Sequence, residues 1–397
     1  MNTSSDVVIV GCGVIGSSVA YYLSKEGFEV TVLERGDVAS GTSSACDGNV
    51  LVVDKQPGFD SQLGYESQKL YRTLQDELGY DLEYRQLGST LAVENEEQEA
   101  MARDWVRRLG DAGIPMRYIE ADEVHHYEPN VAPDIIGLVE CASDSSLNPM
   151  AVVFGFVEAA KRNGVVIRPF TEVRRILKDR KGEVAGVETS EGTVFASKVV
   201  LAAGVWTPQI AATAGVEVPI IPRKGHILVA ERTFKVGTRK MQEFGYLMAK
   251  FGGKRDVEPD VELYGIAMVF EPTPHGNFLI GSSREFVGFD TTCNPEVLRF
   301  MAKRAIRFFP CIRDVNVIRS YAGLRPYTPD HLPIISAVPS VPGLYITAGH
   351  EGDGIGLAPI TGVLTAQMLT GKETTVPLAP LSIERFAKSE RALSKEA

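Results

Sequence analysis

The feature that most constrains this chain lies in its first 35 residues. Val7, Val8, Ile9 and Val10 form a short β-branched run, as in a strand buried on both faces. Gly11-Cys12-Gly13-Val14-Ile15-Gly16 follows without a break. Residues 14–26 place apolar side chains at Val14, Val19, Tyr22 and Leu23, a helical spacing, and Gly27 stops the helix. Residues 29–33 read as a second strand, closed by Glu34. The whole is one strand–helix–strand unit. Gly11 permits the tight turn, Gly13 lets the backbone approach a pyrophosphate, and Gly16 lets the helix pack close to the strand. The helix start at Val14 and Ile15 offers free N–H groups to phosphate charge. Glu34 falls 18 residues after Gly16, where a carboxylate accepts hydrogen bonds from both ribose hydroxyls and repels a 2′-phosphate. The pattern points to a dinucleotide rather than to glycines that serve packing alone.

Two further stretches bear on which dinucleotide. Arg35 leads into residues 36–48, a loop of small and hydroxyl-bearing residues that includes Gly41-Thr42-Ser43-Ser44. Such a loop can wrap a second face of the pyrophosphate, which an NAD site does not usually need. Val199-Val200-Leu201 then runs into Ala202-Ala203-Gly204-Val205-Trp206, an apolar strand whose small residues let the backbone pass close to a flat ring. Taken singly it is also an ordinary buried strand and turn. Gly352-Asp353-Gly354-Ile355-Gly356 opens the last strong helix, residues 354–369. Its N-terminus can present backbone N–H groups to developing negative charge.

Composition removes other classes. The chain has 397 residues, 44% hydrophobic and 23% charged, which suits two or three globular domains and excludes a disordered or fibrous chain. A net charge of −10 makes it a poor binder of nucleic-acid backbone. No run approaches the ~20 apolar residues of a membrane span, and the first residues lack the basic start of a secretory signal. The five cysteines are odd in number and widely spaced, with no CxxC pair. They predict small buried residues in a reducing, cytoplasmic compartment, with no disulfide framework, zinc site or iron–sulfur site.

Beyond the opening unit, the patterning predicts helices over 64–78, 94–112, 149–162 and 294–309, and a strand over 89–93. It predicts a meander of strands at 165–169, 172–177, 184–189 and 193–201. Residues 219–290 read as a second, antiparallel sheet, with short strands after it at 315–321 and 343–347. The tail from 384 to 397 reads as a solvated helix.

Together, the glycine fingerprint, the Glu34-Arg35 step, the 41–44 loop, the 202–206 strand end and the C-terminal glycines resemble the FAD-dependent amino-acid oxidase family, which includes glycine oxidase, sarcosine oxidase and D-amino-acid dehydrogenases. Ser44-Ala45-Cys46-Asp47-Gly48-Asn49-Val50, the stretch from Ala322 through Arg325 to Asp330, and Gly349-His350-Glu351-Gly352 with the residues after it are similar to one branch. That branch is the flavin β subunits of opine, D-hydroxyproline and L-proline dehydrogenases and of hydrogen cyanide synthase.

The resemblance implies an α/β fold: a Rossmann-like FAD-binding domain of the glutathione-reductase type, joined to an antiparallel-sheet α+β substrate domain. The first would comprise 1–85, 145–225 and 325–397, and the second 86–144 and 226–324. Besides the residues above, Gly48, Asn49, Val50 and Val173 would contact the cofactor, Val173 through its backbone to the adenine. The reaction implied is hydride transfer from the carbon beside an amine to flavin N5, followed by hydrolysis of the imine. Arg325 would pair bidentately with an α-carboxylate. His350, Glu351 and Tyr264 are the expected substrate-side residues. Glu271 and His275 are further candidates for a base, and Arg223-Lys224-Gly225-His226 is expected at the crossover between domains.

Relatives that bond the flavin covalently use a histidine just after the phosphate loop or a cysteine near the Arg325 stretch. Here the first histidine is His125, and Cys311 lies 14 residues before Arg325, so noncovalent FAD is expected. With no iron–sulfur site in the chain, the partners implied are a larger α subunit and an electron-transfer iron–sulfur subunit, which could hold the protein at the periphery of the inner membrane. A self-sufficient oxidase, a flavoprotein-like scaffold without turnover and an NAD dehydrogenase stand as alternatives.

Overall fold

The structure, a computed structural model, describes residues 3–251, 253 and 255–386. Most of the tail read as a solvated helix lies outside the described residues.

Two sheets organise the molecule. The first has six strands in the order Ile334–Ala337, Leu344–Ala348, Lys198–Leu201, Val7–Val10, Val30–Leu33, Val166–Arg168, all parallel except the first. Val7–Val10 and Val30–Leu33 are buried throughout, as β-branched runs covered on both faces should be. The helix Val14–Lys25 packs between Pro149–Arg162 and the final helix Gly354–Thr370. Gly362 permits that last contact, because a Cβ there would stand 2.4 Å from Ser18 Oγ and Tyr22. Ser18 also donates to the carbonyl of Ala358 at 2.7 Å. Both ends of the chain therefore meet on one face of one sheet.

The second sheet has eight strands: Val317–Tyr327, Ile221–Ala230, Phe278–Gly281, Val269–Pro272, Lys240–Glu243, Ser89–Val93, Gly137–Cys141 and Met116–Glu120. It is antiparallel, as the alternation over 219–290 predicts, except where Lys240–Glu243 runs parallel to Ser89–Val93. Its long pair, Ile221–Ala230 against Val317–Tyr327, carries the floor of the site. The helix Pro295–Phe308 closes its core through Phe300, Met301 and Phe308.

Several elements depart from the sequence reading. The helix expected from 64 starts at Phe59, because Ser61 Oγ accepts the Gly58 amide and so caps an earlier turn. The single strand expected over 193–201 is two, Gly192–Phe195 in a four-stranded sheet and Lys198–Leu201 in the parallel one. The short strand expected over 315–321 continues to Tyr327 and carries Arg325 within it. Cys12 and Cys141 are buried as expected, but Cys46 and Cys293 are half-buried and Cys311 is exposed. Among the described residues no helix is long and apolar enough to cross a membrane, and no cluster of ligating side chains could hold a metal.

Candidate functional site

A cavity of about 660 Å³ opens at the carboxyl ends of Val7–Val10, Val30–Leu33 and Lys198–Leu201, the place where parallel sheets bind ligands. Its far wall is the strand pair that carries Gly225, Gly323 and Arg325.

The turn between the first strand and helix requires its glycines. Gly11 has φ +104°, and a Cβ there would stand 2.6 Å from the carbonyl oxygen of Ala202. A Cβ on Gly16 would fall 2.0 Å from the oxygen of Gly11, so Gly16 serves close packing and does not line the cavity. Gly13, Val14 and Ile15 do line it. Glu34 is held in place by the amides of Cys12 and Gly36, each donating to one carboxylate oxygen at 2.8 Å. Ser43 accepts the Val14 amide at 3.0 Å, and Thr42 donates to the carbonyl of Leu324 at 2.7 Å, so the 41–44 loop is pinned between helix start and strand. Ser44 turns back to the oxygen of Gly41 and stays outside. Arg35 lies 3.8 Å from the ring centre of Trp206, and Val173, Ala203 and Gly204 complete that end.

Gly352, Gly354 and Ile355 line the other end. Neither Val14–Lys25 nor Gly354–Thr370 has a side-chain cap or an acidic residue in its first turn. Two helix N-termini thus converge on one cavity, the first with only its Val14 amide taken, by Ser43, and Glu34 stands at that end. This donor set and shape fit a bound FAD.

A second cavity, about 90 Å³, adjoins the first, and Asp47, Ser282, Arg325, Glu351 and Gly352 line both. Asn49, Val50, Asp353 and Gly356 border only this smaller space, and Gly48 borders neither. Gly48 instead packs where a Cβ would meet the carbonyl of Leu147 at 1.8 Å.

Arg325 spends two donors on the Ser282 hydroxyl and, at 2.9 Å, the Ser283 carbonyl. Its other donors have no protein partner among the described residues. The guanidinium lies flat over Gly225, where a Cβ would stand 2.2 Å from Nη1. Burial pushes its pKa down, against the neighbouring charge of Asp47. Arg325 therefore presents a cation that nothing on the protein neutralises by direct pairing.

The other expected residues divide. Glu351 is buried, with φ +50°, and clamps Arg223 through one oxygen and His331 Nδ1, at 2.8 Å, through the other. It holds the cavity wall rather than standing free. His350 faces the cavity, but its Nε2 is 3.0 Å from Thr361 Oγ1, and burial pushes the ring down to about 3, so it is neutral at physiological pH. Tyr264 is not brought to either cavity; its hydroxyl donates to Glu296 at 2.9 Å on the surface. His275 is exposed, 3.8 Å from Glu83. Glu271 is buried behind Asp47 and accepts the Gly48 amide on both oxygens at 3.2 Å. Burial, with Asp47 adding, pushes its carboxyl up to about 7.

Sequence reasoning missed Arg284, Lys240, Lys250, Asp54 and Lys55, all lining the smaller cavity. It also missed that Cys46, and not Cys311, borders the large cavity together with Arg325. The Cys46 thiol donates to the Ser43 carbonyl at 3.4 Å and is held protonated by burial. A basic residue two positions beyond a Gly-Ser that ends an apolar strand is a signal that could have found Arg284.

Comparisons with known proteins agree with the fit to FAD. The family model described as FAD dependent oxidoreductase matches residues 6–368. Glycine oxidase of Pseudomonas aeruginosa is 30% identical, over 95% of this chain and 98% of its own length. Hydrogen cyanide synthase subunit HcnC of the same species is 26% identical, over 99% of both. Among solved structures, glycine oxidase from Geobacillus kaustophilus superposes with a TM-score of 0.85 at 26% identity, covering 96% of this chain and 98% of that one. L-proline dehydrogenase from P. horikoshii shares the fold with a TM-score of 0.88 at 23% identity, covering 98% and 99%. With two glycine-rich helix starts on one cavity, a carboxylate held at its end and a family match across nearly its whole length, the chain belongs to the FAD dependent oxidoreductase family and binds FAD.

Proposed function

We propose that the protein oxidises the C–N bond of a small carboxylated amine or imino acid, of the opine, hydroxyproline, proline, sarcosine or glycine type, as the flavin subunit of a heteromeric dehydrogenase. FAD supplies the hydride acceptor, at N5. Arg325 carries the reading: an open guanidinium sits where the FAD cavity meets a small polar space, so a carboxylate on Arg325 sets the neighbouring C–N bond against the cofactor. The hydride leaves the carbon with its electron pair, the nitrogen lone pair forms the imine, and water then hydrolyses it. The amine must arrive unprotonated. His350, neutral and tied to Thr361, adds no cation there. The uncapped start of Gly354–Thr370 favours negative charge beside Gly352 and Gly354.

The division into an FAD-binding part, 1–85, 145–225 and 325–397, and a substrate part, 86–144 and 226–324, belongs to this reading, with the joint passing through Ile221–Ala230 and Val317–Tyr327. So does noncovalent attachment: acid precipitation should release the flavin into the supernatant, and flavin left on the pellet would point to Cys46. The similarity to HcnC, a subunit of hydrogen cyanide synthase, supports the heteromer. Its full-length similarity to glycine oxidases favours a second reading, a self-sufficient oxidase. Expressing the chain alone and with its partners separates them. Peroxide from a small amino acid with the chain alone supports the oxidase. Turnover that needs a co-purifying subunit and a dye acceptor supports the dehydrogenase. Failure of every such amine to bleach the flavin anaerobically would overturn both.

A further inference from the structure

The smaller cavity holds more cationic charge than its own acids can pair. Lys55 is bonded to Asp353 and lies 3.2 Å from Asp54, Lys240 lies 3.5 Å from Asp47, and Arg223 is bonded to Glu351. Those pairs use every carboxylate on the wall. Arg284, Arg325 and Lys250 remain, none with a carboxylate within 4.0 Å among the described residues.

Arg284 is the informative one. It follows Phe278–Gly281 by three residues, and its guanidinium lies 3.8 Å from the ring centre of Tyr246, which fixes its plane without spending a donor. No protein hydrogen bond uses it among the described residues. Burial, and then the like charges of Arg223 and Arg325, push its pKa well down. A half-buried cation among like charges costs stability unless an anion joins it. The space available is small, about 90 Å³ against about 660 Å³ for the cavity beside it. That admits a short acidic arm, not a bulky side chain.

We propose that the substrate is a dicarboxylic amine: Arg325 takes the carboxylate beside the oxidised C–N bond, and Arg284 takes a second carboxylate on a short arm reaching into the smaller cavity. This rests on the C–N oxidation proposed above.

Pairs that differ only by the second carboxylate test it on the holoenzyme with a dye acceptor: iminodiacetate against sarcosine, and N-(2-carboxyethyl)glycine against N-ethylglycine. The dicarboxylic member of at least one pair should have the higher kcat/KM, by roughly ten- to a hundredfold, the range of a charge-assisted bidentate bond. Arg284→Gln should collapse that ratio toward one. Monocarboxylic members turned over as well or better, or a ratio unmoved by Arg284→Gln, would overturn the proposal. A second measurement needs no turnover. Thiodiacetate and (methylthio)acetate carry sulfur in place of the amine, and their binding is read by the flavin absorbance and the Tm of the holoenzyme. Thiodiacetate should bind at least tenfold more tightly, and Arg284→Gln should remove the difference; equal binding by the wild type would count against a second carboxylate site. If thiodiacetate is preferred while no amine bleaches the flavin, the second carboxylate site stands and the C–N reading is what fails.

Discussion

At the scale of single residues, the site depends on one guanidinium and the glycine beneath it. Arg325→Ala removes a bidentate, charge-assisted contact of about 2–3 kcal/mol, so KM for carboxylated amines should rise by roughly a hundredfold with a smaller change in kcat. An unchanged KM in steady-state assays would remove Arg325 from the site. Gly225→Ala tests the same geometry from below. Its Cβ would stand 2.2 Å from Nη1, so the guanidinium must move while its charge remains. We expect the KM defect of Arg325→Ala; a wild-type KM would show that the guanidinium is free to shift. Residue legibility follows the same divide. Arg325, Glu34 and the glycines stand in contiguous motifs whose spacing carries the chemistry. Arg284 does not, because its meaning comes from Tyr246 and Arg325, brought to it by strand pairing across distant parts of the chain. Tyr264 shows the converse: a tyrosine in the right region of sequence sits on a short helix end and bonds Glu296 at the surface.

At the scale of elements, the contact between the 41–48 loop and the second sheet sets a pH dependence. Glu271, on Val269–Pro272, accepts the Gly48 amide, and burial with Asp47 nearby raises its carboxyl from the ordinary 4.5 to about 7. The folded chain thus holds this proton more tightly than the unfolded chain does. Its contribution to stability is present below pH 4.5 and is lost as pH rises through about 7. Glu271→Gln cannot ionise and keeps an acceptor for Gly48, so its Tm relative to wild type should rise between pH 5 and pH 8. A constant difference across that range in thermal melts would mean Glu271 titrates normally. Elements were legible where the pattern was long. The opening unit and Pro149–Arg162 announce themselves by periodicity and Gly354–Thr370 by its long apolar run behind glycines, and Asn148 caps its helix by accepting the amides of Met150 and Ala151. Met116–Glu120 did not, because only Ile119 is buried on that edge strand, leaving no alternation to read. Gly137–Cys141 is buried throughout, and its short run, broken by Glu140, shows no alternation that would mark a strand.

At the scale of the whole molecule, the FAD cavity is where remote parts of the chain meet. Its walls come from the first helix start, the 40–47 loop, residues 172–174 and 202–210, the Arg325 strand and the start of the final helix. These segments already touch at their edges, Val14 to Ser43, Thr42 to Leu324 and Glu351 to Pro326, and a cofactor held between them adds contacts to each. Binding to the native state alone stabilises by about 2.7 kcal/mol at a hundredfold excess over Kd. For a chain of 397 residues the entropy of unfolding scales that to a rise of about 3 °C in Tm. Apoprotein prepared by mild acid or salt stripping should melt lower by that order, and protease should cut it first within residues 36–48, the loop that leans on the cavity from outside either sheet. Reloading with FAD should restore both. Glu34→Ala should imitate the apoprotein in part, because it loses the proposed ribose contact and also the acceptor that holds the amides of Cys12 and Gly36. A cofactor that changed neither melting nor cleavage would mean that the six-stranded sheet and its loops are already closed without it, and that the two ends of the chain are held together by helix packing alone.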